Sequence, residues 1–235
     1  MPLFLSFAGA ALQIAAVWHL AQKRLTTLFP CLAFHLAANA LWIIVSVPLT
    51  QGSATQRLIW KTGAVITICS LIALFLETVS RSLEHFPGLS TRAVLAAFGV
   101  IAAISTVLGA FEPASGSVRT LLMVQRVSGL AVALAAVALL VLLNYFDSRR
   151  RTNVIRHERI TAAMAAATAF AAWLSNHGYP QLGAIILGIG SILFPALWIW
   201  ALQPEGEIDL RPLSDISGLA TARAARSRLR KFYED

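Results

Sequence analysis

Six polar or aromatic side chains interrupt otherwise apolar stretches of this sequence and are the first candidates for binding chemistry. They are Gln13, His35, Asn39, Trp42, Glu77 and Arg126. His35, Asn39 and Trp42 are spaced at i, i+4 and i+7, which places them on one face of a helix. Polar groups inside an apolar helix need partners or solvent. The six therefore predict a polar cavity between helices, where a small ligand would bind or a solute would pass.

Two of these residues, Arg126 and Glu77, also have simpler interpretations. Arg126 lies about eight residues, or roughly 12 Å, into its apolar stretch. Its long side chain could reach back to water or pair with Glu112. Glu77 and Arg81 are spaced at i and i+4, in the order that favours an ion pair. The alternative for both is a place in the cavity, where Arg126 would face an anion or a substrate.

The groups that known cofactor and enzyme sites require do not come together in this sequence. A retinal Schiff base needs a lysine deep in the last apolar stretch, and residues 181–202 contain none. His19 and His35 lie in adjacent stretches but differ in depth by roughly 8–10 Å, which disfavours ligation of one haem. The sequence contains no HExxH, no GxSxG and no acidic metal cluster. We therefore expect no cofactor and no catalytic chemistry.

The elements that must position these residues follow from composition. Hydrophobic residues make up 57% of the 235 residues and charged residues only 13%, whereas a soluble domain carries about 25% charged residues. A membrane-spanning helix takes roughly 20 apolar residues, and such stretches recur along the chain. We predict an all-α polytopic membrane protein with seven transmembrane helices. The predicted spans are 3–21, 27–48, 58–80, 93–111, 118–146, 159–176 and 180–202.

The distribution of basic residues predicts the orientation of this bundle. Fifteen of the 19 lysines and arginines lie in the first, third and fifth separators and in the C-terminal segment. By the positive-inside rule, the N-terminus is outside and the C-terminus is cytoplasmic. Residues 1–202 would form the transmembrane domain and 203–235 a basic cytoplasmic tail that attracts anionic lipid headgroups. The net charge of +8 then reflects orientation, and we expect no nucleic-acid partner.

Two features of the sequence resemble known bacterial membrane proteins. The segment "ETVSRSLEHFPGL", residues 77–89, resembles the end of the third helix in uncharacterised bacterial seven-helix membrane proteins. The plan of seven spans with an external N-terminus over 1–202 resembles the membrane sensor regions attached to some bacterial histidine kinases. The resemblance implies a sensory role in the bacterial inner membrane.

Two functions fit these expectations. The first is a sensory or scaffold protein that binds a small ligand, lipid or protein partner and presents its basic cytoplasmic face to another protein. The alternative is a small transporter or channel whose path is lined by Arg126, His35, Asn39 and Glu77. The glycine-rich seventh span permits close helix packing. We therefore expect a homo-oligomer or membership of a larger membrane complex.

Overall fold

Seven α-helices make up the described part of the chain, which covers residues 3–46, 54–83, 89–110, 117–145 and 151–207 of the computed structural model. Within these ranges the protein is all-helical and contains no strand, which confirms the predicted all-α class. The helices are α1 Leu3–Gln22, α2 Pro30–Ser46, α3 Ala54–Ser82, α4 Leu89–Ala110, α5 Ser117–Tyr145, α6 Thr152–Asn176 and α7 Pro180–Ala201. A short 3-10 turn, Pro204–Glu207, follows α7.

Four of these helices are long and apolar enough to cross a membrane. Their apolar parts are Phe4–Gln22, Ala54–Ser82, Thr120–Val141 and Pro180–Ala201. Large apolar side chains also point away from the bundle, and Phe4, Trp18, Leu41 and Trp200 are each more than 60% exposed. A soluble monomer rarely presents so large an apolar surface. The structure therefore suits a helical protein embedded in a membrane.

The helices pack in a closed ring. Each helix contacts the next one along the chain, and α7 closes the ring against α1. α3 also packs against α5 and α6. At one end of the bundle the last turn of α1 meets the residue after α7, where His19 Nε2 lies 3.2 Å from Leu202 O. We call the side where α1, α3 and α7 finish and α2 and α6 begin the tail end.

Small residues set the closest approaches between helices. A Cβ atom on Gly129 of α5 would lie 3.0 Å from the carbonyl oxygen of Ala165 in α6. A Cβ atom on Gly183 of α7 would lie 2.6 Å from the carbonyl oxygen of Ala171, also in α6. Glycine lets backbones approach this closely because it has no side chain. Gly183 of the seventh helix therefore permits close packing of α7 against α6 within one chain.

The predicted start of the sixth span is wrong by seven residues. α6 begins at Thr152, so most of the basic separator 147–159 is helix. Asn153, His157 and Thr161 recur every four residues and are fully buried, whereas Arg156 and Arg159 are exposed. This segment is a helix that is polar on its exposed side and partly polar on its buried side, and its mean hydropathy is accordingly low. Hydropathy alone therefore reads it as a loop.

The second span also begins later than predicted, at Pro30 instead of residue 27. Just after the end of α1, Arg24 lies in the left-handed region at φ 56°. The Leu25 amide donates to the carbonyl of Leu20 at 2.8 Å, and both leucines are buried. This C-terminal capping arrangement ends α1, and residues 23–29 connect it to α2 at the same end of the bundle. The predicted span ends at 48, 111 and 146 lie outside the described residues.

Candidate functional site

A cavity of ≈ 470 Å³ lies inside the bundle. Its volume falls within the usual range for small-molecule sites, about 300–1,000 Å³. Ser46 and Pro180 line it at the end of the bundle opposite the tail end. Phe194 and Trp198 of α7 line its deepest part, towards the tail end. The cavity therefore extends along the bundle axis from one end to the level of Trp198.

Four of the six residues singled out in the sequence line this cavity. They are Gln13 on α1 and His35, Asn39 and Trp42 on α2. Glu77 and Arg126 are not among the described lining residues. Arg126 is half-buried on α5 beside Gln125, which does line the cavity. Glu112, the partner suggested for Arg126, lies outside the described residues.

The cavity wall is uncharged over the described residues, which include no Asp, Glu, Lys or Arg at this surface. Most of the wall is apolar or aromatic, with Trp60, Met164, Phe194 and Trp198 among its larger side chains. Hydroxyl and amide groups that were not singled out in the sequence add polar points. These are Ser6, Ser46, Thr67, Gln125, Thr168, Ser175 and Ser191. The wall therefore suits a largely apolar molecule with a few hydrogen-bonding groups.

His35 is held by a closed hydrogen-bond network between α2 and α3. The Ser70 hydroxyl donates to the carbonyl of Thr67 at 3.0 Å, so its oxygen is left to accept from His35 Nδ1–H at 2.7 Å. His35 Nε2 then accepts from the Asn39 amide at 2.9 Å. Thr67 completes the network, because its hydroxyl donates to Asn39 Oδ1 at 3.1 Å. The network fixes a neutral imidazole and orients Asn39 at the cavity wall.

Three buried polar atoms on residues that line the cavity have no hydrogen-bond partner among the described residues. They are Gln13 Oε1, Trp42 Nε1 and Trp198 Nε1. The indole of Trp42 lies directly against Gly63 of α3, where any side chain would overlap it. Buried polar groups are normally paired. Unpaired groups at a cavity wall are typical of a site that a ligand completes.

Glu77 lies at the tail end, where its carboxylate caps the first turn of α2. The Cys31 amide donates to Oε1 at 2.8 Å and the Leu32 amide donates to Oε2 at 3.2 Å. An α-helix leaves its first N–H groups without intrahelical acceptors, and a carboxylate there also complements the helix dipole. Arg81, one turn further along α3, donates from Nε to the carbonyl of Leu28 at 2.8 Å. These two residues hold the start of α2 against α3.

His157 of α6 lies beside Glu77 and is completely buried. Its Nε2 is 3.7 Å from Glu77 Oε2. Its ring centroid is 5.0 Å from that of Phe29 and 6.1 Å from that of Trp198. Neither ring nitrogen has a hydrogen-bond partner among the described residues. Trp198 therefore contacts His157 at the tail end and also lines the cavity.

Further polar contacts hold the start of α6 to the chain after α7. The Asn153 side-chain amide donates to the carbonyl of Gln203 at 2.7 Å, and the Gln203 amide lies 3.3 Å from Asn153 Oδ1. Arg156 donates to the carbonyl of Ala201 at 2.8 Å. Gly206 lies so close to Asn153 that a side chain would overlap it. The beginning of the C-terminal segment is thus packed against α6.

Asn153 and His157 are not among the predicted site residues, because both fall in the predicted separator between the fifth and sixth spans. The available signal was their spacing: Asn153, His157 and Thr161 follow at i, i+4 and i+8. That period marks one helical face. In α2 the intervening residues are apolar, so the spacing of His35, Asn39 and Trp42 stands out there as one polar helical face.

Comparison of the chain with protein-family models, with curated proteins and with solved structures found no match. A proposal about function therefore depends on the cavity and on the polar residues at the tail end.

Proposed function

We propose that this protein is a seven-helix sensory protein of the bacterial inner membrane that binds a small neutral molecule in its central cavity. The observation that carries the proposal is an uncharged cavity of ≈ 470 Å³ whose wall holds unpaired Gln13 and Trp42 atoms. A charged ligand would give up its hydration here without a counter-charge, which is costly. A neutral, largely apolar molecule with a few hydrogen-bonding groups avoids that cost.

Seven spans are supported by how the shorter or less apolar helices pack. Residues 177–179 connect α6 to α7 directly, so α6 must return across the thickness that α7 crosses. α6 lies between α5 and α7, and its polar residues face the bundle. Beyond Arg156 and Arg159, which lie near the tail end, its exposed positions carry no charge: Ala163, Ala166, Phe170 and Trp173. A helix of low mean hydropathy can thus cross a membrane when its neighbours cover its polar face.

The proposed orientation places the tail end at the cytoplasmic surface. Lys23, Arg24, Arg156 and Arg159 are exposed there, and basic residues of this kind attract anionic lipid headgroups. The same surface would present the start of the C-terminal segment to a protein partner or to a second copy of the chain. Residues 208–235, the rest of the basic segment, lie outside the described residues.

The orientation predicts how cysteines on the two ends will react. In a background where Cys31 and Cys69 are replaced by serine, we expect a membrane-impermeant maleimide to label His177→Cys in intact spheroplasts. It should label Lys23→Cys only after the membrane is opened, because that position lies at the tail end. Both positions are exposed. Labelling in the reverse order would contradict an external N-terminus.

Filling the cavity should weaken ligand binding. Ala64 lines the cavity and is 5% exposed, so Ala64→Leu would project three additional carbons into it. The matched control is Ala37→Leu, which places the same group on an exposed position of α2. We expect Ala64→Leu to weaken binding of a neutral aromatic amine by tenfold or more, equivalent to about 1.4 kcal/mol.

A suitable probe is N-phenyl-1-naphthylamine, because tryptophan fluorescence can excite it by energy transfer and Trp42, Trp60 and Trp198 line the cavity. Titration would use protein in lipid nanodiscs, where partitioning of the probe into lipid is the same for both variants. Saturable binding that is lost in Ala64→Leu and kept in Ala37→Leu supports the cavity as the site. Equal binding by the two variants, or none by the unmodified protein, would argue against it.

A transporter is the second candidate, and the polar cluster at the tail end is the observation that favours it. Of the residues expected along a path, His35 and Asn39 lie in the cavity wall, whereas Glu77 lies at the tail end. Trp198 lines the cavity and also contacts His157, which lies beside Glu77. Transport would therefore require this buried indole to move aside. Sensing needs only that a bound ligand alters the packing around Trp198.

A further inference from the structure

We infer that Glu77 and His157 together form a proton-binding site at the tail end of the bundle. The site is separate from the ligand cavity and does not depend on the ligand proposed above. It joins a carboxylate on α3 to an imidazole on α6, with Oε2 and Nε2 3.7 Å apart. A hydrogen bond between such atoms is about 2.8 Å long. A displacement of roughly 1 Å would bring the two groups into a hydrogen bond.

The surroundings of His157 leave its ring without another partner. The side chain is fully buried, and the rings of Phe29 and Trp198 pack against it. Both ring nitrogens lack a hydrogen-bond partner among the described residues. A neutral imidazole carries one N–H donor and one acceptor nitrogen, and leaving both unpaired in an apolar environment is unfavourable. A proton shared with Glu77 would satisfy the nitrogen that faces the carboxylate.

The surroundings of Glu77 stabilise its negative charge when the proton is absent. Its two oxygens accept the Cys31 and Leu32 amides at the N-terminus of α2, which is the positive end of the helix dipole. The Arg81 guanidinium lies one turn away on the same helix. Glu77 can therefore exist in two states. In one its carboxylate bonds only to the start of α2, and in the other it also shares a proton with His157.

Other described titratable groups lie near the pair on α2 and α6, but none of them forms a similar pair. On α2, the Cys31 thiol lies next to Glu77, and His35 has both ring nitrogens bonded to Ser70 and Asn39. On α6, Glu158 follows His157 and is also fully buried. α7 contributes Trp198, which carries no charge. Among the described titratable groups, this pair alone combines a histidine whose two ring nitrogens are unbonded with a carboxylate within 4 Å.

Proton binding changes the charge of the pair from −1 to 0. The proton comes from water and ends on one of the two groups. Either the carboxyl O–H donates to His157 Nε2, or the imidazolium Nε2–H donates to Glu77 Oε2. A carboxylate and an imidazole that share one proton titrate as one unit. Glu77 caps the first turn of α2, and α2 also carries His35, Asn39 and Trp42. The proton therefore acts on a helix that forms the cavity wall.

Infrared difference spectroscopy can test this site in the absence of any ligand. Spectra would be recorded between pH 9 and pH 4, and the Glu77 signal would be identified by its loss in Glu77→Gln. We expect a pH-dependent Glu77 signal whose midpoint moves by at least one pH unit in His157→Phe, because the shared partner is lost. His177→Phe, which replaces an exposed histidine just after α6, should leave the midpoint unchanged.

Two outcomes would overturn the proton site. One is the absence of any Glu77 signal between pH 9 and pH 4, and the other is an identical midpoint in His157→Phe. Glu77→Gln keeps an oxygen acceptor for the start of α2, and thermal unfolding of each variant would establish that it is folded. The same spectra of Ala64→Leu separate this result from the cavity proposal. A proton signal that survives when the cavity is filled supports the site even if no ligand binds.

Discussion

Glu77→Ala should destabilise the protein by roughly 2–6 kcal/mol, because each buried donor left without an acceptor costs about 1–3 kcal/mol. The two donors are the Cys31 and Leu32 amides, which bond to the carboxylate at 2.8 and 3.2 Å. Glu77→Gln keeps one carbonyl oxygen at the same place. We therefore expect the glutamine variant to lose much less stability than the alanine variant.

Thermal unfolding in one detergent, followed by size-exclusion chromatography of the soluble fraction, measures this difference. The matched control is Glu205→Ala, which removes an exposed carboxylate after α7 and should have little effect. An alanine variant as stable as the unmodified protein would show that the carboxylate does not hold the start of α2. A large loss in both would instead assign the effect to the negative charge.

Trp198→Ala should destabilise the protein by about 3–5 kcal/mol, the usual cost of truncating a buried large aromatic side chain. Trp198 is 1% exposed, lines the cavity and contacts the ring of His157. Trp198→Phe should cost far less. The indole N–H has no hydrogen-bond partner among the described residues, so phenylalanine gives up volume but no paired polar group.

Trp200→Ala provides the control for this substitution. Trp200 lies two residues further along the same helix and is 73% exposed, so its truncation leaves no internal void. The same thermal measurement would compare the four proteins. A loss in Trp200→Ala as large as that in Trp198→Ala would contradict the assignment of Trp198 to the core. A loss in Trp198→Phe as large as that in Trp198→Ala would indicate that the indole nitrogen has a partner.

Helix α2 connects the two features on which the proposals rest. Its first turn is held by Glu77, and its later turns place His35, Asn39 and Trp42 at the cavity wall. The His35 network also bonds α2 to α3 through Ser70 and Thr67. Any shift of α2 relative to α3 would therefore alter both the cavity wall and the cap at the tail end. This arrangement suits a protein that couples ligand binding to a change at one surface.

The sequence alone is sufficient to predict the all-α class and the residues of α2 that form one face of the site. A chain with 57% hydrophobic and 13% charged residues has too few polar groups for a soluble domain of its length. Each of the seven predicted spans overlaps one helix. His35, Asn39 and Trp42 belong to one helical face whatever the fold, because their spacing follows the α-helical period. That face lines the cavity.

Only the tertiary structure decided which polar residues meet across helices. Glu77 and Arg81 are one turn apart and suggested a local ion pair, yet the Glu77 carboxylate accepts the amides of Cys31 and Leu32, more than 40 residues away in sequence. His157 falls in the predicted separator before the sixth span, yet it is buried beside Glu77. Hydropathy averages composition along the chain, so it cannot detect a polar face that neighbouring helices cover. Such pairs depend on helix packing, which brings distant residues together and which no local pattern encodes.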